Sequence, residues 1–129
     1  MLKILLIDDD ESMRPTMQRM LERLGHQVWA EADGDAGLAR ARQLAPDLVI
    51  TDIIMPERDG IETIEGLRRL PRVPKIIAIS GGGRLSAENL LALAGKLGAQ
   101  YTLAKPFTRE ELQQAIERVM GDDAEADAG

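Results

Sequence analysis

The sequence predicts an α/β fold: a doubly wound parallel sheet of five strands, each followed by a helix. Two observations predict it. Short apolar runs alternate with amphipathic stretches along the whole chain, the pattern of repeated strand–helix units with right-handed crossovers. The strand runs are apolar almost throughout rather than alternating apolar with polar, as in Leu5-Leu6-Ile7 and Leu48-Val49-Ile50, which marks strands buried on both faces. A length of 129 residues suits one domain with one core.

The elements follow in order. The first strand spans Lys3–Ile7 and ends on Asp8-Asp9-Asp10. The first helix, Met13–Leu24, places Met17, Met20, Leu21 and Leu24 at helical spacing and stops at Gly25. Pro15 belongs in its first turn, where an N–H has no intrahelical partner, and Ser12 is a candidate cap. Gln27–Glu31 is the second strand, and the helix Ala36–Leu44 stops before Pro46. The third strand, Leu48–Asp52, ends on an aspartate and is followed by the turn residues Met55-Pro56 and Asp59-Gly60. Ile61–Leu70 is helical and stops before Pro71. The fourth strand, Lys75–Ile79, runs into Ser80 and a triglycine, and the helix Ala87–Leu97 stops at Gly98. The fifth strand, Tyr101–Ala104, leads into Lys105-Pro106. Thr108-Arg109-Glu110-Glu111 is a capping box that opens the last helix, Thr108–Met120. Residues 1–120 therefore form the domain. The end, 121–129, is acidic and lacks large apolar residues, which predicts a disordered tail.

Composition removes several function classes. A net charge of −6 argues against nonspecific nucleic-acid or anionic-membrane binding. Trp29, Tyr101 and Phe107 are the only aromatic residues, too few for base-stacking platforms. Without cysteine there is no thiolate metal site and no cysteine nucleophile, and His26 alone cannot build a multi-histidine centre. No apolar stretch is long enough to cross a membrane, and Met1 leads straight into a strand, so a cytoplasmic location is expected.

The chemistry concentrates at strand ends. One aspartate after a strand commonly caps the next helix. Asp8 and Asp9 together, with Asp52 on a second strand, form a carboxylate group at the sheet edge where open α/β folds bind ligands. Such a group cannot ionise fully without a cation, and an oxygen-seeking ion such as Mg2+ resolves the repulsion. Asp10 and Asp59 read as cap or turn residues. Ser80 and Lys105 end the fourth and fifth strands at the same edge. A cis Lys105-Pro106 bond would aim the lysine into the site.

From Leu2 to Met120 the chain resembles the receiver domain of two-component response regulators. The resemblance rests on Asp8-Asp9, on Asp52 followed by Met55-Pro56 and Asp59-Gly60, on Ser80, and on Lys105-Pro106-Phe107. It implies a flavodoxin-like sheet of strand order 2-1-3-4-5. It also implies that Asp52 accepts a phosphoryl group from a sensor histidine kinase or phosphotransfer protein. Asp9 would ligate Mg2+ directly, Asp8 would orient a metal-bound water, and Asp52 and the backbone carbonyl of Ile54 would complete the protein ligands. Lys105 and Ser80 would hold phosphoryl oxygens. Ser80 and Tyr101 would form the switch, read out to a downstream protein by the surface of helix Ala87–Leu97, the fifth strand and the last helix. The domain would act as a monomer or a phosphorylation-dependent weak dimer, as a signalling phospho-acceptor rather than an enzyme.

The apolar Ile54, two residues after Asp52, cannot orient an attacking water, which predicts slow self-dephosphorylation. The same residue argues against a phosphatase that places a second acid two residues after its nucleophile. A flavin carrier would need a hydroxyl-rich loop after the first strand, where aspartates stand. The intact Asp8, Asp9, Asp52, Ser80 and Lys105 argue against an interaction module that has lost phosphorylation.

Overall fold

In a computed structural model, residues 1–53, 60–81, 95–96 and 98–128 are described. The strands are β1 (Lys3–Ile7), β2 (Gln27–Glu31), β3 (Leu48–Asp52), β4 (Lys75–Gly81) and β5 (Tyr101–Lys105). The helices are α1 (Met13–Arg23), α2 (Gly34–Leu44), α3 (Gly60–Arg68) and α4 (Arg109–Ala128). All strand pairs are parallel, in the order β2-β1-β3-β4-β5. The expected helix Ala87–Leu97 and the turn at Met55-Pro56 and Asp59 lie outside the described residues, except that Gly95 and Lys96 are helical. Among the described residues no helix is long and apolar enough to cross a membrane.

The continuous apolar strands have the reason the sequence suggests, because helices cover both faces. Alternate residues divide between two cores. Ile4, Leu6, Leu48, Ile50, Ile77, Ile79 and Leu103 pack with Met17 and Leu21 of α1 and with Leu112, Ile116 and Val119 of α4. Leu5, Ile7, Val49, Ile76 and Ala78 pack with Leu38 of α2 and with Ile64 and Leu67 of α3. Each such side chain contributes about 1.5–3 kcal/mol on burial. Close approach of α2 to the sheet requires Gly37, where an added Cβ would collide with the Ile7 side chain.

Local rules explain the element ends. Asp33 caps α2 by accepting the Ala36 N–H at 2.8 Å. Thr108 and Glu111 form the reciprocal capping box, with bonds of 3.1 and 3.0 Å. Ser12 occupies the cap position of α1, yet its side chain makes no capping bond. Asp10 takes that role, its Oδ1 accepting from Ser12 N–H, Ser12 Oγ and Met13 N–H.

The helix α4 continues to Ala128, past the boundary at Met120 that composition suggests for a disordered tail. Ala124, Glu125, Ala126 and Ala128 are strong helix formers with no proline among them, so local propensity favours continuing the helix.

Candidate functional site

The winding reverses at β1: β2 lies on one side of it and β3 on the other. That reversal opens a crevice at the carboxyl ends of β1 and β3. Register then decides which side chains meet there. Ile7 pairs with Thr51, so Asp8 and Asp52 leave the sheet side by side. Gly81 pairs with Lys105, and Ser80 with Ala104, which brings the ends of β4 and β5 to the same edge.

One ligand oxygen from each of Asp8, Asp9 and Asp52 lies within 4.8 Å of the others. Lys105 reaches across from β5, its Nζ 3.2 Å from Asp8 Oδ2 and 3.3 Å from Asp52 Oδ2. The Lys105-Pro106 peptide bond is cis. Asp8 is fully buried and Asp52 nearly so, while Asp9 is half-buried at the opening. The Asp8 carboxylate is held on both oxygens, because Oδ1 accepts the Asp10 N–H at 3.0 Å.

Burial of Asp52, followed by its hydrogen bond with Asp8 and that neighbour's like charge, pushes the Asp52 carboxyl up to about 8. Lys105 pulls the other way. Burial lowers the Lys105 pKa, but the Asp52 and Asp8 carboxylates more than offset this and hold it above its ordinary value. Asp10 differs. Hydrogen bonds from the Met13 N–H, the Ser12 hydroxyl and the Ser12 N–H hold its carboxyl below the usual value, as suits a helix cap. The donor set fits a hard divalent cation: every candidate ligand is an oxygen, and two acids are buried with a single lysine between them.

The structure thus brings together Asp8, Asp9, Asp52 and Lys105. Ser80 stands in β4 beside them in register, and its side chain lies outside the described residues, as does Ile54 entirely.

Tyr101, expected to form the switch with Ser80, is not among the side chains gathered here. It begins β5, opposite Ile77, and packs half-buried against the core that contains Ile77, Ile79 and Leu103, on the α1 and α4 face. Position 80 belongs by the pleat with Ala78, which faces the α2 and α3 side. The β5 residues that share the face of Ala78 are Thr102 and Ala104.

Sequence reasoning did not single out Arg14. Its Nη1 donates to the backbone carbonyl of Asp8 at 2.9 Å. No motif signals this contact; only its place in the first turn of α1, where a cation is disfavoured, marks it as unusual.

Comparison with known proteins agrees with this architecture. The response regulator receiver domain family matches residues 4–117. A probable chemotaxis protein CheY of Rhizobium etli is 36% identical over 124 residues, covering 93% of each chain. The alkaline phosphatase synthesis transcriptional regulatory protein PhoP of Bacillus subtilis is 32% identical over 92% of this chain and 48% of its own. The chain therefore spans about half the length of that regulator. Among solved structures, a receiver domain protein from Clostridium thermocellum superposes with a TM-score of 0.86 at 28% identity, covering 96% of this chain and 98% of that one. The chemotaxis protein CheY4 of Vibrio cholerae superposes with a TM-score of 0.84 at 30% identity, covering 92% and 98%.

Proposed function

This chain belongs to the response regulator receiver domain family, and from that premise we propose that Asp52 is its phosphoryl acceptor. The observation that carries the reading is the buried Asp52 carboxylate, flanked by Asp8 and Asp9 and contacted by Lys105. Asp52 Oδ attacks the phosphorus of a phosphohistidine on a sensor kinase or phosphotransfer protein. The P–N bond breaks and an acyl phosphate forms. Lys105 Nζ sits where a phosphoryl oxygen needs positive charge, and the Ser80 hydroxyl donates to another oxygen.

Asp9, Asp52 and the Ile54 carbonyl would hold Mg2+, which when bound supplies charge neutralisation for the acids and the transferring group. The oxygens of Asp8 are engaged by the Asp10 N–H and by Lys105, which suits it to orient a metal-bound water rather than to ligate directly. Asp52 must be unprotonated to attack. Lys105 favours that state and Asp8 opposes it, so a divalent cation and Lys105 together set the nucleophile.

Residues 1–120 form the functional unit in this reading, acting in the cytoplasm. The product is a change of protein-binding surface rather than a released chemical product. Its partners are an upstream phosphohistidine protein and a downstream protein target.

The test is incubation with acetyl phosphate and Mg2+, read by intact mass, with Asp52→Asn alongside. Gain of one phosphoryl group by the wild type alone, abolished by EDTA, is expected. Equal gain by Asp52→Asn would reject Asp52 as the acceptor.

A further inference from the structure

We propose that Arg14 is a positioning residue for the acidic cluster, acting through the backbone of Asp8. This rests on the metal-dependent reading above and goes beyond it.

The first turn of α1 contains no acidic residue and instead carries Arg14. The positive end of a helix disfavours a cation there. A local rule broken beside a functional site asks for a compensating contact. The compensation is the half-buried guanidinium, whose Nη1 donates to the Asp8 carbonyl at 2.9 Å. Other bonds close the same turn. The Asp8 N–H donates to the Glu31 carbonyl at 3.1 Å, which fixes the turn to β2. The Asp10 N–H donates to Asp8 Oδ1 at 3.0 Å, and the Arg14 N–H to the Asp10 carbonyl at 2.9 Å.

The segment from Asp8 to Arg14 is therefore tied at both ends, with Asp9 between the ties. Arg14 is the one side chain in the set that reaches back from the helix to the strand end. It restrains the peptide that joins Asp8 to Asp9, and with it the angle between their carboxylates.

Charge and position make opposite forecasts, which renders the proposal testable. If Arg14 acted only as a nearby cation, its removal would tighten Mg2+ binding. If it positions the carboxylates, removal weakens binding, because outer contacts that orient metal ligands typically change affinity by about tenfold or more. The experiment is calorimetric titration of the full chain with Mg2+ alone, for wild type, Arg14→Met and Arg14→Lys. It is accompanied by amide hydrogen exchange without metal.

Arg14→Met is expected to weaken Mg2+ binding about tenfold and to speed exchange of the Asp10 amide, while Leu5 and Ile50 in the core exchange as before. Arg14→Lys keeps the charge and should weaken binding about threefold. Unchanged or tighter binding by Arg14→Met overturns the proposal, as does unchanged Asp10 exchange. If Arg14→Met does not fold, Arg14→Lys decides: weakening at constant charge supports positioning, and wild-type affinity with wild-type Asp10 exchange rejects it. A wild type that binds no Mg2+ removes the metal reading and this proposal with it. A wild type that binds Mg2+ and takes a phosphoryl group beside an unaffected Arg14→Met rejects this proposal alone.

Discussion

Two aspartates bracket the same strand and do opposite work. Asp47 precedes β3 at the amino edge of the sheet; Asp52 ends β3 at the carboxyl edge. Asp47 keeps 27% of its side chain exposed, accepts the Lys3 N–H at 2.9 Å and pairs with Arg72 at 3.0 Å. Each of its oxygens has a donor. Asp52 keeps 6%, faces Asp8, and shares one lysine with it. The first arrangement ties strand ends together. The second gathers three acids around one lysine, a charge excess that suits a cation. The residue type is the same; burial and the neighbouring strand differ.

The largest expected effect comes from abolishing one side of this contrast. Asp52→Asn should lose phosphoryl uptake altogether in the intact-mass assay, whereas Asp47→Asn should take up the group within about twofold of wild type. Uptake by both variants would show that the contrast has no chemical content. Lys105→Met comes next. It leaves Asp8 and Asp52 without their shared cation, and it should cut the rate of uptake from acetyl phosphate by about 100-fold, the scale of losing one preorganised charge contact.

The pH dependence follows from the raised Asp52 pKa. Unfolded, this carboxyl titrates near 3.8; folded and without metal it is pushed up to about 8. A raised folded pKa contributes stability that is complete below 3.8 and is lost as pH rises through about 8. Chemical denaturation in EDTA should therefore show stability falling from pH 5 to pH 8. Asp52→Asn should flatten that slope and be more stable than wild type at pH 8 by about 1–3 kcal/mol. Added Mg2+ should flatten the wild-type slope as well. A wild-type slope that survives in Asp52→Asn would place the titrating group elsewhere.

Smaller effects sharpen the comparison. Asp47→Ala removes the tie between the Lys3 N–H and β3 and should cost about 1 kcal/mol in urea denaturation, with no change in Mg2+ affinity. Tyr101→Ala should cost about 1–2 kcal/mol through lost packing against the α1 and α4 core, and it should leave phosphoryl uptake intact. Ile54→Asn, which adds a polar side chain two residues after the acceptor, should shorten the half-life of the phosphorylated protein measured after removal of the donor. An unchanged half-life would free position 54 from any part in hydrolysis.

The amino-acid sequence set the order of the described strands and helices, to the residue for β1, β2 and β3. Apolar runs, glycine and proline stops and the Thr108 capping box are local signals, and local physics reads them. It also determined which acids would gather, because strand-end positions in a parallel sheet share one edge. Three matters were left to the tertiary structure. Which side chain caps α1 depended on turn geometry, and Asp10 took the place expected for Ser12. Arg14 acquired its partner only when α1 folded back over the end of β1. Tyr101 turned to the face away from position 80, because register, a property of paired strands rather than of one strand, assigns each side chain to its side of the sheet.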